Sequence, residues 1–201
     1  MWTAEERGHH INYLEMLAVL FGLQAYNQLT GGKHVKVLVD NTTVQATLNK
    51  MGTSHSPQLN TLTKTMWDWC ILHNIWLTVA RIPGLDNIEA DRESRKCRRC
   101  TEWCLNKNLF RQACDKLQFL PNIDLFASRI NHQIKPYVSY GPDPEAFAVN
   151  AFHQPWVDHK FYAFPPFSII NQVLQKIQRE GSEGLVLVPK WPTQTWWPIA
   201  M

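Results

Sequence analysis

Val35-Lys-Val-Leu-Val-Asp40 decides the fold of the first half of the chain, because it predicts a strand that ends in a carboxylate and leads directly into a helix. The β-branched run predicts a short strand over residues 35–39. Asn41-Thr-Thr43 follows, and Thr42 or Thr43 is expected to cap a helix that continues to about Met51. A strand that leads directly into a helix indicates an α/β architecture.

Helices and strands alternate on both sides of this strand, which predicts α/β architecture in each half of the chain. For the first half we expect a helix over 11–27, a helix from Ser56-Pro57, a strand over 75–82, the turn Pro83-Gly84 and a helix over 87–95. For the second half we expect a helix over 109–117, strands over 123–127, 161–164 and 185–188, an irregular Pro-rich region over 136–155 and a helix over 169–177.

The stretch from residue 96 to residue 106 is basic, Cys-rich and without clear periodicity, so we interpret it as a linker. It separates a domain over 1–95 from a domain over 107–201. The basic residues at this junction, Arg92, Arg95, Lys96, Arg98 and Arg99, are typical of a phosphate contact or, equally, of a solvated linker. Cys97-x2-Cys100-x3-Cys104 would hold zinc only if another ligand, such as Cys114, joined it.

Three acidic residues have settings that are typical of a metal site. Glu15 lies within an apolar helix pattern, Asp40 ends a strand, and Asp91 follows the Pro83-Gly84 turn. Each alone has an ordinary explanation: a solvated helix edge for Glu15, a helix cap for Asp40, and an ion pair with a nearby Arg for Asp91. Three converging carboxylates would require a cation, since burying a carboxylate costs several kcal/mol unless it is paired.

Three motifs occur in order along residues 1–95: His10-Ile-Asn-x-Leu-Glu15, Val39-Asp-Asn-Thr-Thr43 and Ile82-Pro-Gly-x-x-Asn-x-x-Ala-Asp91. Together they resemble the ribonuclease H domain of DIRS-type (tyrosine-recombinase) retrotransposon reverse transcriptases. The resemblance implies an RNase H-like mixed sheet with helices whose first strands are missing. The strand that carries the family's first carboxylate belongs upstream of the position matching Trp2.

This family cuts the RNA strand of RNA–DNA hybrids with two Mg²⁺ ions held by four carboxylates. The resemblance implies that Glu15, Asp40 and Asp91 are the second, third and fourth of these catalytic metal ligands. Leu85 and Asp86 stand where some members carry a mobile His after the Pro-Gly turn. We therefore expect the isolated chain to have little or no hybrid cleavage.

Residues 107–201 carry a second resemblance. Ile123-Asp-Leu-Phe-Ala-Ser-Arg-Ile-Asn131, then Tyr162-Ala-Phe-Pro-Pro-Phe-Ser168, then Val186-Leu-Val-Pro-Lys-Trp-Pro resemble the phage-type (Dam-like) DNA N6-adenine methyltransferases. The resemblance implies a partial Rossmann-like α/β segment. It also implies S-adenosylmethionine as cofactor, bordered by Asp124 and Ser128, although no Gly-rich fingerprint accompanies them.

The target-base motif of that family is Asp/Asn-Pro-Pro-Tyr/Phe, and here it corresponds to Phe164, Pro165, Pro166 and Phe167. Phe164 cannot accept a hydrogen bond from an adenine amino group, whereas Phe167 retains the stacking ring. We expect methyl transfer to be lost. The alternative for this tetrad is a rigid strand-to-helix turn in which Phe packs inward.

Composition limits the remaining choices. Hydrophobic residues make up 45% of the 201 residues, enough for a core, and the net charge of +3 does not by itself indicate nucleic acid. Five Cys and the lack of a long apolar run predict an intracellular protein without a membrane span. Two hypotheses remain: a fragment of a retroelement polyprotein that is inactive by itself, or a non-catalytic scaffold or binding protein for RNA–DNA hybrid or DNA.

Overall fold

The computed structural model describes residues 2–95 and 103–201, and the chain divides into two compact units, Met1–Arg99 and Cys100–Met201. Both units mix helices with small parallel sheets, as expected for an α/β chain. None of the described helices is long and apolar enough to cross a lipid bilayer.

The first unit places helices against a two-stranded parallel sheet. Its elements are α1 (Ile11–Ala25), α2 (Asn27–Thr30), β1 (His34–Val39), α3 (Thr42–Asn49), α4 (Pro57–Leu72), β2 (Trp76–Arg81) and α5 (Ile88–Arg95). The register runs from His34 opposite Trp76 to Val39 opposite Arg81. The predicted elements of this half are confirmed, with ends that move by a few residues.

One face of the β1–β2 sheet is buried and the other is open. Leu77 and Val79 of β2 point into a core that α1, α3 and α4 complete. On the opposite face Leu38 is 52% exposed and Trp76 is 69% exposed. Parallel strands are usually covered on both faces. This sheet is an exception in the described part of its unit, where only one face is covered.

The second unit is built around a three-stranded parallel sheet with strand order β3-β6-β7. Its elements are α6 (Lys107–Leu117), β3 (Ile123–Asp124), β4 (Val138–Ser139), β5 (Ala148–Val149), β6 (Phe161–Ala163), α7 (Ile170–Glu180), β7 (Gly184–Val186) and α8 (Trp197–Ala200). The fully buried Trp156, Phe161 and Val173 lie in the main core of this unit.

Two predictions for this half need correction. The strand expected over 123–127 ends at Asp124, because the chain then leaves the sheet: the Leu125 N–H donates to Tyr162 O at 2.9 Å, but the Ala127 N–H donates to Val138 O at 3.1 Å. The region expected to be irregular contains the parallel pair β4–β5. Strands of two residues are too short to produce a period-2 pattern.

Candidate functional sites

Glu15 lies on α1, which begins at Ile11 because the His10 ring accepts a hydrogen bond from the Asn12 N–H at 3.2 Å. Its side chain is half-buried beside the core residues Met16 and Leu17. The Oε2 atom is enclosed and has no hydrogen-bond partner among the described residues. An enclosed carboxylate oxygen is costly unless a donor or a cation meets it, so Glu15 differs from a solvated helix-edge residue.

Asp40 lies at the end of β1, where its side chain is exposed. The next residue, Asn41, caps α3, since its Oδ1 accepts from the N–H groups of Thr43 at 2.9 Å and Val44 at 3.2 Å. The prediction that Thr42 or Thr43 is the cap was wrong, because the Asn41 amide reaches two free N–H groups of the first turn. Asp40 itself therefore does not cap this helix.

A side-chain hydrogen bond joins this loop to the first helix: Asn41 Nδ2 donates to Asn12 Oδ1 at 2.8 Å. Asn12 precedes Glu15 by three residues, and residues at this spacing share one face of a helix. The carboxylate of Glu15 and the end of β1 are thus on neighbouring parts of the first unit.

The carboxyl end of β2 lies at the same edge, because β1 and β2 are parallel and Val39 is opposite Arg81. The Ile82 N–H donates to Val39 O at 2.9 Å, and a turn at Pro83 leads into α5, which carries Asp91. The Asp91 side chain is not among those that the structure describes. Among those that are described, no group of three or more His, Cys, Asp or Glu could hold a metal ion.

The residues of this edge fit one part of a Mg²⁺ site. The enclosed Glu15 oxygen supplies the hard oxygen donor that Mg²⁺ prefers, and the exposed Asp40 leaves room for the water that this ion retains. Bound Mg²⁺ would polarise a phosphoryl oxygen there.

The basic junction is described only in part. Arg92 lies exposed on α5, whereas the side chains of Arg95, Lys96, Arg98 and Arg99 lie outside the described residues. The same holds for Cys97 and Cys100. Cys104 is a free exposed thiol, and Cys114 is a free buried thiol whose pKa is raised, first of all by burial.

A polar cleft in the second unit surrounds Asp124. Its lining consists of Trp103, Leu105, Asp124, Phe126, Asn131, Gln133, Tyr162 and Phe164, and its cavity volume is about 10 Å³, which is room for one water-sized group. Asp124 and Tyr162 are opposite each other on β3 and β6 and are each 2% exposed. The Gln133 N–H donates to Asp124 Oδ2 at 2.9 Å, which fixes the carboxylate.

Burial raises the pKa of Asp124 to about 6, and the backbone N–H groups of Gln133 and Phe126 act in the opposite direction. Burial also raises the pKa of Tyr162, and the charge of Asp124 adds to this effect. Both groups therefore lose their protons less readily than in water, because a charge in this enclosed cleft loses its hydration.

Ser128, predicted together with Asp124, does not line the cleft and instead hydrogen-bonds a residue that does. Its N–H and Oγ donate to Asn131 Oδ1 at 2.7 and 2.9 Å, and Asn131 lines the cleft. The cleft encloses less space than the roughly 300–1,000 Å³ of pockets for drug-sized ligands. These residues consequently fit a small group better than S-adenosylmethionine.

The tetrad from Phe164 to Phe167 forms the connection between β6 and α7. Pro165 is buried, Pro166 is exposed, and Phe167 begins a 3₁₀ turn that leads into α7. The Phe167 ring lies 6.1 Å from the Trp103 ring and 5.1 Å from the Trp191 ring, measured between centroids. This geometry agrees with the rigid strand-to-helix turn, and Phe164 also lines the cleft.

Sequence reasoning missed Trp103, Gln133 and Tyr162 as parts of the cleft. Tyr162 lies in a short apolar strand, where its pattern is that of a core aromatic residue. Tyr162 meets a polar group only because it is opposite Asp124 in the sheet. That register cannot be read from the sequence, because β3 has only two residues.

Comparisons with protein-family models, with curated proteins and with solved structures find no match to this chain. The interpretation of both sites therefore depends on their own residues and on the motifs of the sequence.

Proposed function

We propose that the chain is a retroelement-derived protein whose first unit is RNase H-like, binds Mg²⁺ through Glu15, Asp40 and Asp91, and binds RNA–DNA hybrids. The observation that carries this proposal is the enclosed, unpartnered Oε2 atom of Glu15. It lies on a helix whose first turn is bonded to the loop after β1. The order of the three motifs along helix, strand and helix supports the same function.

The isolated 201-residue polypeptide should bind the hybrid with little or no turnover. By the resemblance it holds three of the four carboxylates that position two Mg²⁺ ions, and hydrolysis needs both the attacking and the leaving oxygen to be stabilised. The three carboxylates support binding of the hybrid next to one Mg²⁺ ion. They do not complete the ligand set of the second Mg²⁺ ion.

The test uses the purified polypeptide and a hybrid labelled on its RNA strand, in Mg²⁺ and in EDTA. We expect Mg²⁺-dependent binding by fluorescence anisotropy, weakened about tenfold, or roughly 1.4 kcal/mol, by Glu15→Gln or Asp40→Asn. Asp68→Asn is the matched control, since Asp68 is an exposed carboxylate on α4 that pairs only with Lys64 at 2.5 Å among the described ion pairs.

Two results would contradict the proposal in different ways. Cleavage that Asp40→Asn abolishes would show that the polypeptide is an active nuclease. Hybrid binding that is unchanged by Mg²⁺, by Glu15→Gln and by Asp40→Asn would contradict the metal site.

We propose further that the second unit no longer transfers methyl groups. The side chain at position 164 is a half-buried hydrocarbon ring in place of an amide or carboxylate acceptor. Incubation with DNA and a labelled methyl donor should yield no N6-methyladenine, and its formation would contradict this part of the account.

A further inference from the structure

Three enclosed oxygen atoms line the cleft of the second unit without a hydrogen-bond partner in the described part of the chain: Asp124 Oδ1, Gln133 Oε1 and Tyr162 Oη. Buried polar atoms are nearly always paired, so three orphans in one small cleft indicate a ligand. The sheet fixes Asp124 on β3 opposite Tyr162 on β6, and the hydrogen bond from the Gln133 N–H to Asp124 Oδ2 holds the turn that carries Gln133.

The orientation of each group is set by a second contact. Gln133 Nε2 donates to Leu105 O at 2.7 Å, so its Oε1 atom is the one left over. Asp124 uses Oδ2 to accept from the Gln133 N–H, which leaves Oδ1. The cleft therefore presents two fixed acceptors and one hydroxyl.

We propose that this cleft binds a primary alkylammonium group. Such a group has three N–H donors and no acceptor, and it carries one positive charge. Its three donors match the three orphaned oxygens, and its charge offsets that of Asp124. A water molecule could pair with the same three oxygens, but it carries no charge to offset that of Asp124. The described lining holds one carboxylate and no His or Cys, which is too few for zinc, and the cleft has no room for the several waters that Mg²⁺ retains.

The walls of the cleft suit the same ligand. Trp103, Phe126 and Phe164 present aromatic rings, which attract an ammonium group through their faces. Trp103 is 63% exposed, so the alkyl stem leaves the cleft along a ring at the surface. A quaternary ammonium lacks N–H donors, so it cannot pair with the three orphaned oxygens.

The test is calorimetric titration of the full chain with n-pentylamine and, separately, with Nα-acetyl-lysine amide. Binding of either amine supports the proposal, and the comparison tells a free amine from a lysine side chain. n-Pentanol and tetramethylammonium are the matched ligands without the charge and without the N–H donors. We expect each to bind at least about tenfold more weakly.

Two variants connect binding to the orphaned atoms. Tyr162→Phe removes one oxygen and keeps the packed ring, and Asp124→Asn removes the charge; each should weaken amine binding about tenfold. The controls are the exposed Tyr140→Phe and Asp158→Asn. If Asp124→Asn does not fold, Tyr162→Phe alone decides.

The proposal is overturned if neither amine binds, if tetramethylammonium binds as well as n-pentylamine, or if Tyr162→Phe binds like the unaltered chain. Hybrid binding by the first unit is measured with different ligands and variants, so failure here is distinguishable from failure of the proposed function.

Discussion

At the residue scale, Lys176 shows how the second unit tolerates a buried charge. Its side chain is 7% exposed, and its ammonium pairs with Glu180 and lies 5.1 Å from the centroid of the Trp156 ring. Glu180 Oε2 also accepts from the Trp156 N–H at 3.0 Å. The hydrogen bond from Lys176 is the main reason that the pKa of Glu180 is lowered.

Glu180→Gln should destabilise the second unit by about 3 kcal/mol, because a buried ammonium then loses its counter-charge. In the unaltered chain this stabilisation is present above the ordinary pKa of Glu and is lost as the pH falls through the lowered pKa. Urea unfolding measures the effect, with the exposed Glu183→Gln as control. Equal midpoints for the two variants would contradict it.

Asp124 gives the opposite dependence on pH. Its carboxyl binds the proton more tightly in the folded state, with a pKa of about 6 against an ordinary 3.8. The free energy of unfolding should therefore fall by up to about 3 kcal/mol as the pH rises through this window, and level off above it.

Asp124→Asn should remove that slope, since an amide does not titrate, while its buried N–H₂ group costs about 1–3 kcal/mol at every pH. Urea unfolding of both proteins at a series of pH values between 4 and 7 measures the difference, and other titrating groups cancel in the comparison. Parallel curves would mean that the Asp124 carboxyl is not enclosed as described.

At the element scale, β7 depends on a position without a side chain. A Cβ on Gly184 would overlap the ring of Phe161, a fully buried residue of β6 that is opposite Gly184 in the sheet. The two strands can approach at this point only because Gly184 has no side chain.

Gly184→Ala should destabilise the second unit by about 1–3 kcal/mol or more, because the core must shift to admit the methyl group. Gly141→Ala is the control, since a Cβ there meets nothing within 4 Å. Thermal unfolding compares the two variants. A Gly184→Ala protein as stable as the control would contradict the packing of β6 against β7.

Long elements with a clear hydrophobic periodicity were predictable from the sequence, and strands of two residues were not. α1, α4 and β2 follow directly from apolar spacing and from turn residues such as Ser56-Pro57, whose Ser56 Oγ accepts from the Leu59 N–H at 3.3 Å. The β4–β5 pair has two residues in each strand, and long-range contacts position it. No local pattern in the sequence carries that information.

At the scale of the whole molecule, the sequence motifs point to Glu15 and Asp40 in the first unit, but in the second unit they point only to Asp124 and Phe164 of the residues that line the cleft. Glu15 and Asp40 were predicted because Glu15 is a carboxylate within an apolar helix pattern and Asp40 directly follows a strand. The enclosure of Glu15 Oε2, and of Asp124 opposite Tyr162, depends on packing between elements distant in the chain. Tertiary packing thus supplies the electrostatics that local patterns lack.

The central claim is that Glu15, Asp40 and Asp91 meet around a metal ion. Mn²⁺, used as a paramagnetic substitute for Mg²⁺, broadens the NMR signals of nearby amides in the isotopically labelled chain. We predict that the amides of Glu15, Asp40, Asn41 and Asp91 broaden first, and that Mg²⁺ competes. Broadening elsewhere, or equal broadening in a Glu15→Gln chain, would contradict the account.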